Sequence, residues 1–227
     1  MNKIIFFCLA ALIGYVFGSI PTGYLYAKAK GVDIFKEGSN SPGATNIERT
    51  LGKSAGKKVL LLDILKTMVP IAIVNILFII FFADSKFSEI FSNQDLSVNL
   101  RVITLFTGLF AVIGHDYPFT MNFKGGKGIA SSFAVMICFF PLLGLVLYVL
   151  QKSVSKMTGY VSAGSLFVLV AFFVYALICS LLKIYPFEFG ARIDVLIISF
   201  LISALGVYRH RSNIDRLIKG TENKISK

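Results

Sequence analysis

Lys124-Gly125-Gly126-Lys127-Gly128 lies between two apolar segments and combines the features an anion site needs. Gly125, Gly126 and Gly128 let the backbone turn tightly and bring N–H groups close to a ligand, and Lys124 and Lys127 add positive charge, so the loop is suited to phosphate. It is not a nucleotide-hydrolysing P-loop. That loop requires Gly-x-x-x-x-Gly-Lys and then Ser or Thr; here Met121 takes the first glycine position and Gly128 replaces the magnesium-binding hydroxyl. Gly114-His115-Asp116 ends the preceding apolar segment. His115 reads as a segment-end histidine at the membrane interface rather than a base, because its nearest acid in sequence is Asp116.

Three further polar motifs share this setting. The first runs from Gly18–Gly23 through Gly38–Gly52 to Asp63 and Lys66. Ser39, Thr45 and Asn46 can donate to phosphate oxygens, and Arg49 can clamp them with its planar fork. A plain turn and helix cap would use the same small polar residues, with Asp63 and Lys66 pairing at i,i+3. Another motif, Thr158–Ser165, offers the hydroxyls of Ser162 and Ser165 beside the N–H groups of a helix N-terminus, although small residues there also let helices pack closely. The last runs from Arg209 to Lys224. His210 and Asn213 share a helix face, whereas His210 and Asp215 stand about 140° apart, so they do not form an acyltransferase dyad. A solvated basic tail near anionic lipid explains the arginines of this segment but not its His-Asn pair.

The elements that must position these motifs are membrane helices. The 227 residues are 56% hydrophobic and 15% charged, with 22 Phe, too little polar surface to coat a soluble globule. A span needs about 20 apolar residues. Residues 4–25 and 161–182 meet this directly. Residues 59–82 do so with Asp63, Lys66 and Pro70 inside, and 102–113 and 193–208 are shorter spans expected to extend past their polar flanks. Residues 129–150 form either one span or two short helices broken at Pro141. Lys and Arg gather in cytoplasmic loops, and this decides the matter. With the break, seventeen cations fall on the cytoplasmic side and five outside (Lys3, Lys86, Arg101, Lys183, Arg192), with Lys66 inside a span; without it, eleven fall on each side. The expected fold is therefore all-α, with seven transmembrane segments, two of them short, the N-terminus outside and the C-terminus cytoplasmic. All four motifs then lie at the cytoplasmic face.

The net charge of +11 follows largely from this topology and suits anionic substrates and lipids. Its dispersal over short loops argues against nucleic-acid binding. Cys8, Cys138 and Cys179 lie in apolar segments, and two separated histidines leave no metal-ligand cluster. Residues 4–25 read as a retained first helix, since no small-residue cleavage pattern follows them. No repeat or long linker divides the chain, so 1–227 is expected to be one integral-membrane domain.

Taken in order, these motifs closely resemble those of the integral-membrane acyl-phosphate:glycerol-3-phosphate acyltransferases of bacteria, over nearly the whole chain. The resemblance rests on Gly18–Pro21, Gly43–Asn46 with Arg49, Asp63 with Lys66, Gly114-His115, Phe123–Ala130, Val161-Ser162 with Ser165, His210 with Asn213, and Gly220–Glu222. It implies transfer of a fatty acyl group from acyl phosphate to the 1-hydroxyl of glycerol 3-phosphate, giving lysophosphatidic acid and phosphate at the cytoplasmic face of the inner membrane. It implies no cofactor or metal, since a mixed anhydride is already activated and can react by positioning and charge stabilisation alone. By residue, it implies phosphate binding by Ser39, Asn46, Arg49, Lys127 and Ser162 or Ser165, and a cradle for acyl phosphate at Gly125, Gly126 and Gly128. His210 and Asn213 orient glycerol 3-phosphate, and Glu222 closes the site. Membrane lipids and a peripheral enzyme that makes acyl phosphate are the implied partners. A transporter or channel for a phosphorylated metabolite would also use basic residues and broken helices, but its site is expected at the midplane rather than at one face.

Overall fold

The structure is a computed structural model that describes residues 3–82, 96–182 and 193–225. Lys86, Lys183 and Arg192, counted above on the outer side, lie outside the described residues. All regular structure among the described residues is helical. The chain divides into two compact units, residues 1–139 and 140–227.

The first unit holds α1 (Lys3–Gly18), α2 (Thr22–Lys28), α3 (Ala44–Leu51), α4 (Lys53–Phe82), α5 (Leu96–Asp116) and α6 (Ile129–Phe139). Pro21, which cannot donate to a helix and restrains the residue before it, separates α1 from α2. Helix α4 has 30 residues and is about 45 Å long, more than a hydrocarbon core of about 30 Å requires. Its excess length lets Lys53, Lys57 and Lys58 stay exposed. Pro70, inside this helix, removes the N–H that would bond the Lys66 carbonyl.

Helix α1 packs on α5 and α4, and α6 on α4 and α5. Lipid tails are as apolar as the side chains facing them, so close approach rather than hydrophobicity holds such helices together. Gly14 and Gly18, four apart, provide that approach. A Cβ at Gly14 would meet the Thr107 carbonyl and one at Gly18 the Ala111 carbonyl, while Gly114 of α5 abuts the Tyr15 carbonyl. Away from this seam, Phe6, Val74, Phe78 and Ile103 bury one another. The segment joining α2 to α4 is instead anchored by Ile34 and Ile47, fully buried with Ala27, Ala55 and Val59. Each buried Ile or Val there contributes about 1.5–3 kcal/mol where the alternative is water.

The second unit holds α7 (Pro141–Thr158), α8 (Val161–Leu182), α9 (Ile193–Arg209) and α10 (Arg211–Ile218). Phe140 is extended and Pro141 opens α7, so the helix break expected at Pro141 is present. Helix α8 packs between α7 and α9. Gly159, at φ 80°, ends α7 in the left-handed conformation that glycine adopts without strain. A Cβ at Gly164 would collide with Ser155 and the Gln151 carbonyl, which sets the close α7–α8 contact.

Several expected boundaries move. Helix α4 starts at Lys53 rather than residue 59, and α7 runs on to Thr158 through a segment expected to be a loop, while the short span at 102–113 extends past its polar flanks to Leu96–Asp116 as expected. Polar residues near a span end are helical whenever their side chains can reach water, so apolar runs alone underestimate helix length. Among the described residues, four helical stretches are long and apolar enough to cross a membrane: Ile4–Lys28, Lys53–Phe81, Asn99–Met121 and Val161–Leu182. The pair α9 and α10, bent by 56°, raises the number to five. Seven segments would require the short α6 and the more polar α7 as well.

Candidate active site

In the first unit the polar motifs meet at one end of the helices, where α1 and α5 finish and α6 begins. Asp63 and Lys66, one turn apart on α4, form a buried ion pair with 2.9 Å between Lys66 Nζ and Asp63 Oδ1. Lys66 also donates to the Ile20 carbonyl at 2.7 Å, and Thr22 donates its hydroxyl to Asp63. The charged pair thus ties the Ser19–Pro21 break to the side of α4. Charges so fully buried on a membrane helix require such complete partnering.

His115 completes this cluster. It is buried, with Nδ1 3.4 Å from Asp63 Oδ1. His115 does stand at the end of its segment, in the last turn of α5, but the expectation that Asp116 is its only nearby acid is corrected: Asp63 faces it, brought there by the packing of α4 against α5. Lys66 and His115 line a small open recess together with Ile20–Gly23, Pro42 and Lys124–Gly126.

The glycine loop that borders the recess is folded tightly onto the end of α5. Gly125 N–H donates to the Asp116 carbonyl at 3.2 Å, and Gly126 N–H to the His115 carbonyl at 3.1 Å. The expectation that these two amides are bare and face an anion is thus corrected: the last carbonyls of α5, which have no acceptor role within the helix, take both N–H groups. Gly128, at φ 72°, lies against the fully buried Asp116 carboxylate at the start of α6, where a helix N-terminus favours negative charge. Lys127 is half-buried and Lys124 exposed. Asn122 and Phe123 enter the loop at φ 48° and 59°, left-handed values costly to non-glycine residues.

Ser39 and Asn46 belong to a second loop of this unit. The Asn46 side chain accepts from Ser39 N–H at 2.8 Å and donates to the carbonyls of Glu37, at 2.9 Å, and Ser41, at 3.0 Å. Buried and engaged at both ends, it holds the loop's shape. Ser39 and Arg49 are half-buried, Arg49 in the last turn of α3.

In the second unit the motif residues gather where α8 begins and α9 ends. His210 precedes α10 and directs Nδ1 at the Gly206 carbonyl, 2.7 Å away. A ring nitrogen placed against a carbonyl carries the hydrogen. Asn213 donates to Glu222 Oε1 at 2.9 Å, and Arg216 donates to Oε2 at 2.8 Å. All of His210, Asn213 and Glu222 are buried. Gly220, at φ 69°, ends α10 and turns the tail back, and Ile225 N–H reaches the Gly159 carbonyl. Ser165 donates its hydroxyl to the Val161 carbonyl at 2.9 Å, whereas buried Ser162 Oγ has no hydrogen-bond partner among the described residues. Asp215 is exposed and paired with Lys219, away from His210.

Sequence reasoning singled out the loops but missed the Asp63–His115 contact and the part played by Arg216. Two ionisable residues inside an apolar segment were the available signal for the first; nothing local signals Arg216. Among the described residues, no three His, Cys, Asp or Glu side chains converge to hold a metal.

Comparison with known proteins gives this geometry its context. The sequence model of one family, described as glycerol-3-phosphate acyltransferase, matches residues 8–220. The chain is 38% identical over 219 residues to glycerol-3-phosphate acyltransferase 2 of Thermotoga maritima, covering 96% of each chain. It is 34% identical to the glycerol-3-phosphate acyltransferase of Aquifex aeolicus, covering 94% of this chain and 96% of that protein. The crystal structure of PlsY (YgiH), an integral membrane glycerol 3-phosphate acyltransferase, in its glycerol 3-phosphate form aligns with a TM-score of 0.77 at 33% identity, covering 97% of this chain and 96% of that one. Its lysophosphatidic acid form aligns with a TM-score of 0.75. The chain is thus a multi-pass membrane protein, and it belongs to the glycerol-3-phosphate acyltransferase family.

Proposed function

We propose that this protein transfers a fatty acyl group from an acyl phosphate to the 1-hydroxyl of glycerol 3-phosphate. The observation that carries the choice of donor is the chemistry of the first unit's recess. It is lined by cations and a histidine, and the one hydroxyl in its lining, that of Thr22, is engaged by Asp63. A lining with no thiol and no uncommitted hydroxyl suits a donor that brings its own activation. An acyl phosphate does so, with a carbonyl carbon already bonded to a good leaving group.

In the reaction the glycerol 3-phosphate hydroxyl oxygen attacks the acyl carbonyl carbon. The bond from that carbon to the bridging oxygen breaks, and phosphate leaves with the electron pair. The hydroxyl proton ends on the departing phosphate, which is basic enough to take it without a protein base. Lys127, Arg49 and Ser39 bind phosphate in the first unit, with Asn46 holding the Ser39 loop. Gly125, Gly126 and Gly128 shape the donor loop by close packing, and Lys127 provides its charge. In the second unit His210 and Asn213 orient glycerol 3-phosphate, Glu222 fixes the Asn213 amide, and Ser162, with its uncommitted hydroxyl, is a better phosphate donor than Ser165.

The family match reaches into both units, which supports the whole chain acting as one acyltransferase domain. The charge asymmetry supports seven segments in a bacterial inner membrane, the N-terminus outside and the C-terminus and site cytoplasmic. A cysteine introduced after Ser212 should then be closed to an impermeant thiol reagent added outside. Because acyl phosphate hydrolyses readily, a peripheral enzyme that makes it belongs at the same face.

The decisive assay is phosphate release from synthetic acyl phosphate by purified protein. Release that depends on added glycerol 3-phosphate supports the transferase. Movement of labelled glycerol 3-phosphate into sealed vesicles without acylation would replace it with a transporter.

A further inference from the structure

We propose that His115 is a positioning residue that sets the shape of the Lys124–Gly128 loop, held by Asp63 on one side and pressed against Gly126 on the other. This rests on the reading of that loop as the donor-phosphate loop.

Three observations converge on the imidazole. Its Nδ1 edge faces Asp63 Oδ1 at 3.4 Å, and Asp63 is itself fixed by Lys66 and Thr22. Its Nε2 edge lies against Gly126, since a Cβ built on that glycine would fall on Nε2. The backbone completes the arrangement, because Gly126 N–H donates to the carbonyl of His115 itself. One residue therefore supports the loop through both its ring and its main chain, and the ring is fixed to the side of α4. Any change in the tilt of that ring is passed to the Gly126 backbone and to the neighbouring Lys127.

The adjacent glycines permit a clean test, because a methyl group meets different obstacles at each. At Gly126 the obstacle is the His115 ring; at Gly125 it is the main-chain carbonyl of His115, with Pro118 Cδ and the Asp116 carbonyl nearby. Removing the ring edge makes room at the first and not at the second. His115→Asn keeps an N–H to face Asp63 and has no atom where Nε2 lies.

Acyl transfer is measured with purified, folded protein for Gly126→Ala, Gly125→Ala, His115→Asn and the two doubles. Overpacking against a fixed ring should make Gly126→Ala lose roughly 10-fold to 100-fold in kcat/KM for acyl phosphate. In the His115→Asn background the same substitution should lose less than about 3-fold, a strongly non-additive result. Gly125→Ala should stay equally damaging in both backgrounds. Equal losses for Gly126→Ala with and without the ring would overturn the proposal, and so would rescue of Gly125→Ala, which would show general loosening. Should His115→Asn not fold, Gly126→Ala in His115→Ala gives the same comparison, and full activity of Gly126→Ala alone also overturns it. The donor-loop reading is checked separately. If the rescue occurs but appears in the KM for glycerol 3-phosphate instead of that for acyl phosphate, His115 shapes the loop and the loop serves the acceptor.

Discussion

The two polar clusters, one in each unit, are built in opposite ways. The first is assembled from distant segments: Thr22, Asp63 with Lys66, and His115 come from α2, α4 and α5, joined by buried charges. The second is largely local: His210, Asn213, Arg216 and Glu222 lie within one short helix and the tail that folds back on it. A cluster made by packing three helices can be rigid and deeply buried, but one lost charge exposes the others to an uncompensated low-dielectric site. A cluster made by one helix and its cap leans less on the helices around it. The lesson is that the first should fail by unfolding and the second by losing affinity.

The largest expected effect tests that contrast directly. Asp63→Asn leaves Lys66 buried without its counter-ion, and breaking a buried pair on one side costs about 3–5 kcal/mol. Thermal unfolding in detergent should show a pronounced loss of stability for this variant and a much smaller one for Glu222→Gln, whose Arg216 partner reaches solvent. Equal losses would erase the distinction between the clusters.

Lys127→Ala comes next and acts on rate. If Lys127 neutralises phosphate charge, its loss removes on the order of 2–4 kcal/mol of transition-state stabilisation, or about 30-fold to 1,000-fold in acyl transfer. Lys127→Arg should also be poor, since a planar fork does not replace a compact ammonium between glycines. Folded Lys127→Ala enzyme that keeps more than about a third of its activity, a loss below roughly 1 kcal/mol, would take this residue out of the site.

Asn213→Ala sharpens the other side. It removes one hydrogen bond to a buried carboxylate, worth about 1.5–3 kcal/mol. The KM for glycerol 3-phosphate should rise more than that for acyl phosphate, and steady-state kinetics with each substrate varied would show the reverse if the second cluster served the donor. The smallest effect belongs to Asp215→Ala. Its pair with Lys219 is more than half exposed on both sides, and such pairs contribute about 0–1 kcal/mol. Activity within about twofold of the parent is expected.

Much of this protein was readable from local pattern, because a helix relates residues three or four apart by geometry that any sequence displays. Length and hydropathy determined an all-helical membrane chain, and Pro141 marked a helix break that is present. The same geometry placed Asp63 beside Lys66 and separated His210 from Asp215. The four motifs were legible too, each as a polar run at the end of an apolar one. Tertiary structure alone decided which groups in those motifs remain available. It joined His115 to Asp63, gave the Gly125 and Gly126 amides to the end of α5, made Asn46 a loop clamp, and left the Ser162 hydroxyl uncommitted where that of Ser165 is engaged. Each of these outcomes depends on where a backbone carbonyl or a side chain from another segment comes to lie. That position is set by the close approach of whole helices, through contacts such as Gly14 on Thr107 and Gly18 on Ala111; the four-residue spacing of the glycines marks a packing face but does not say which residues it meets.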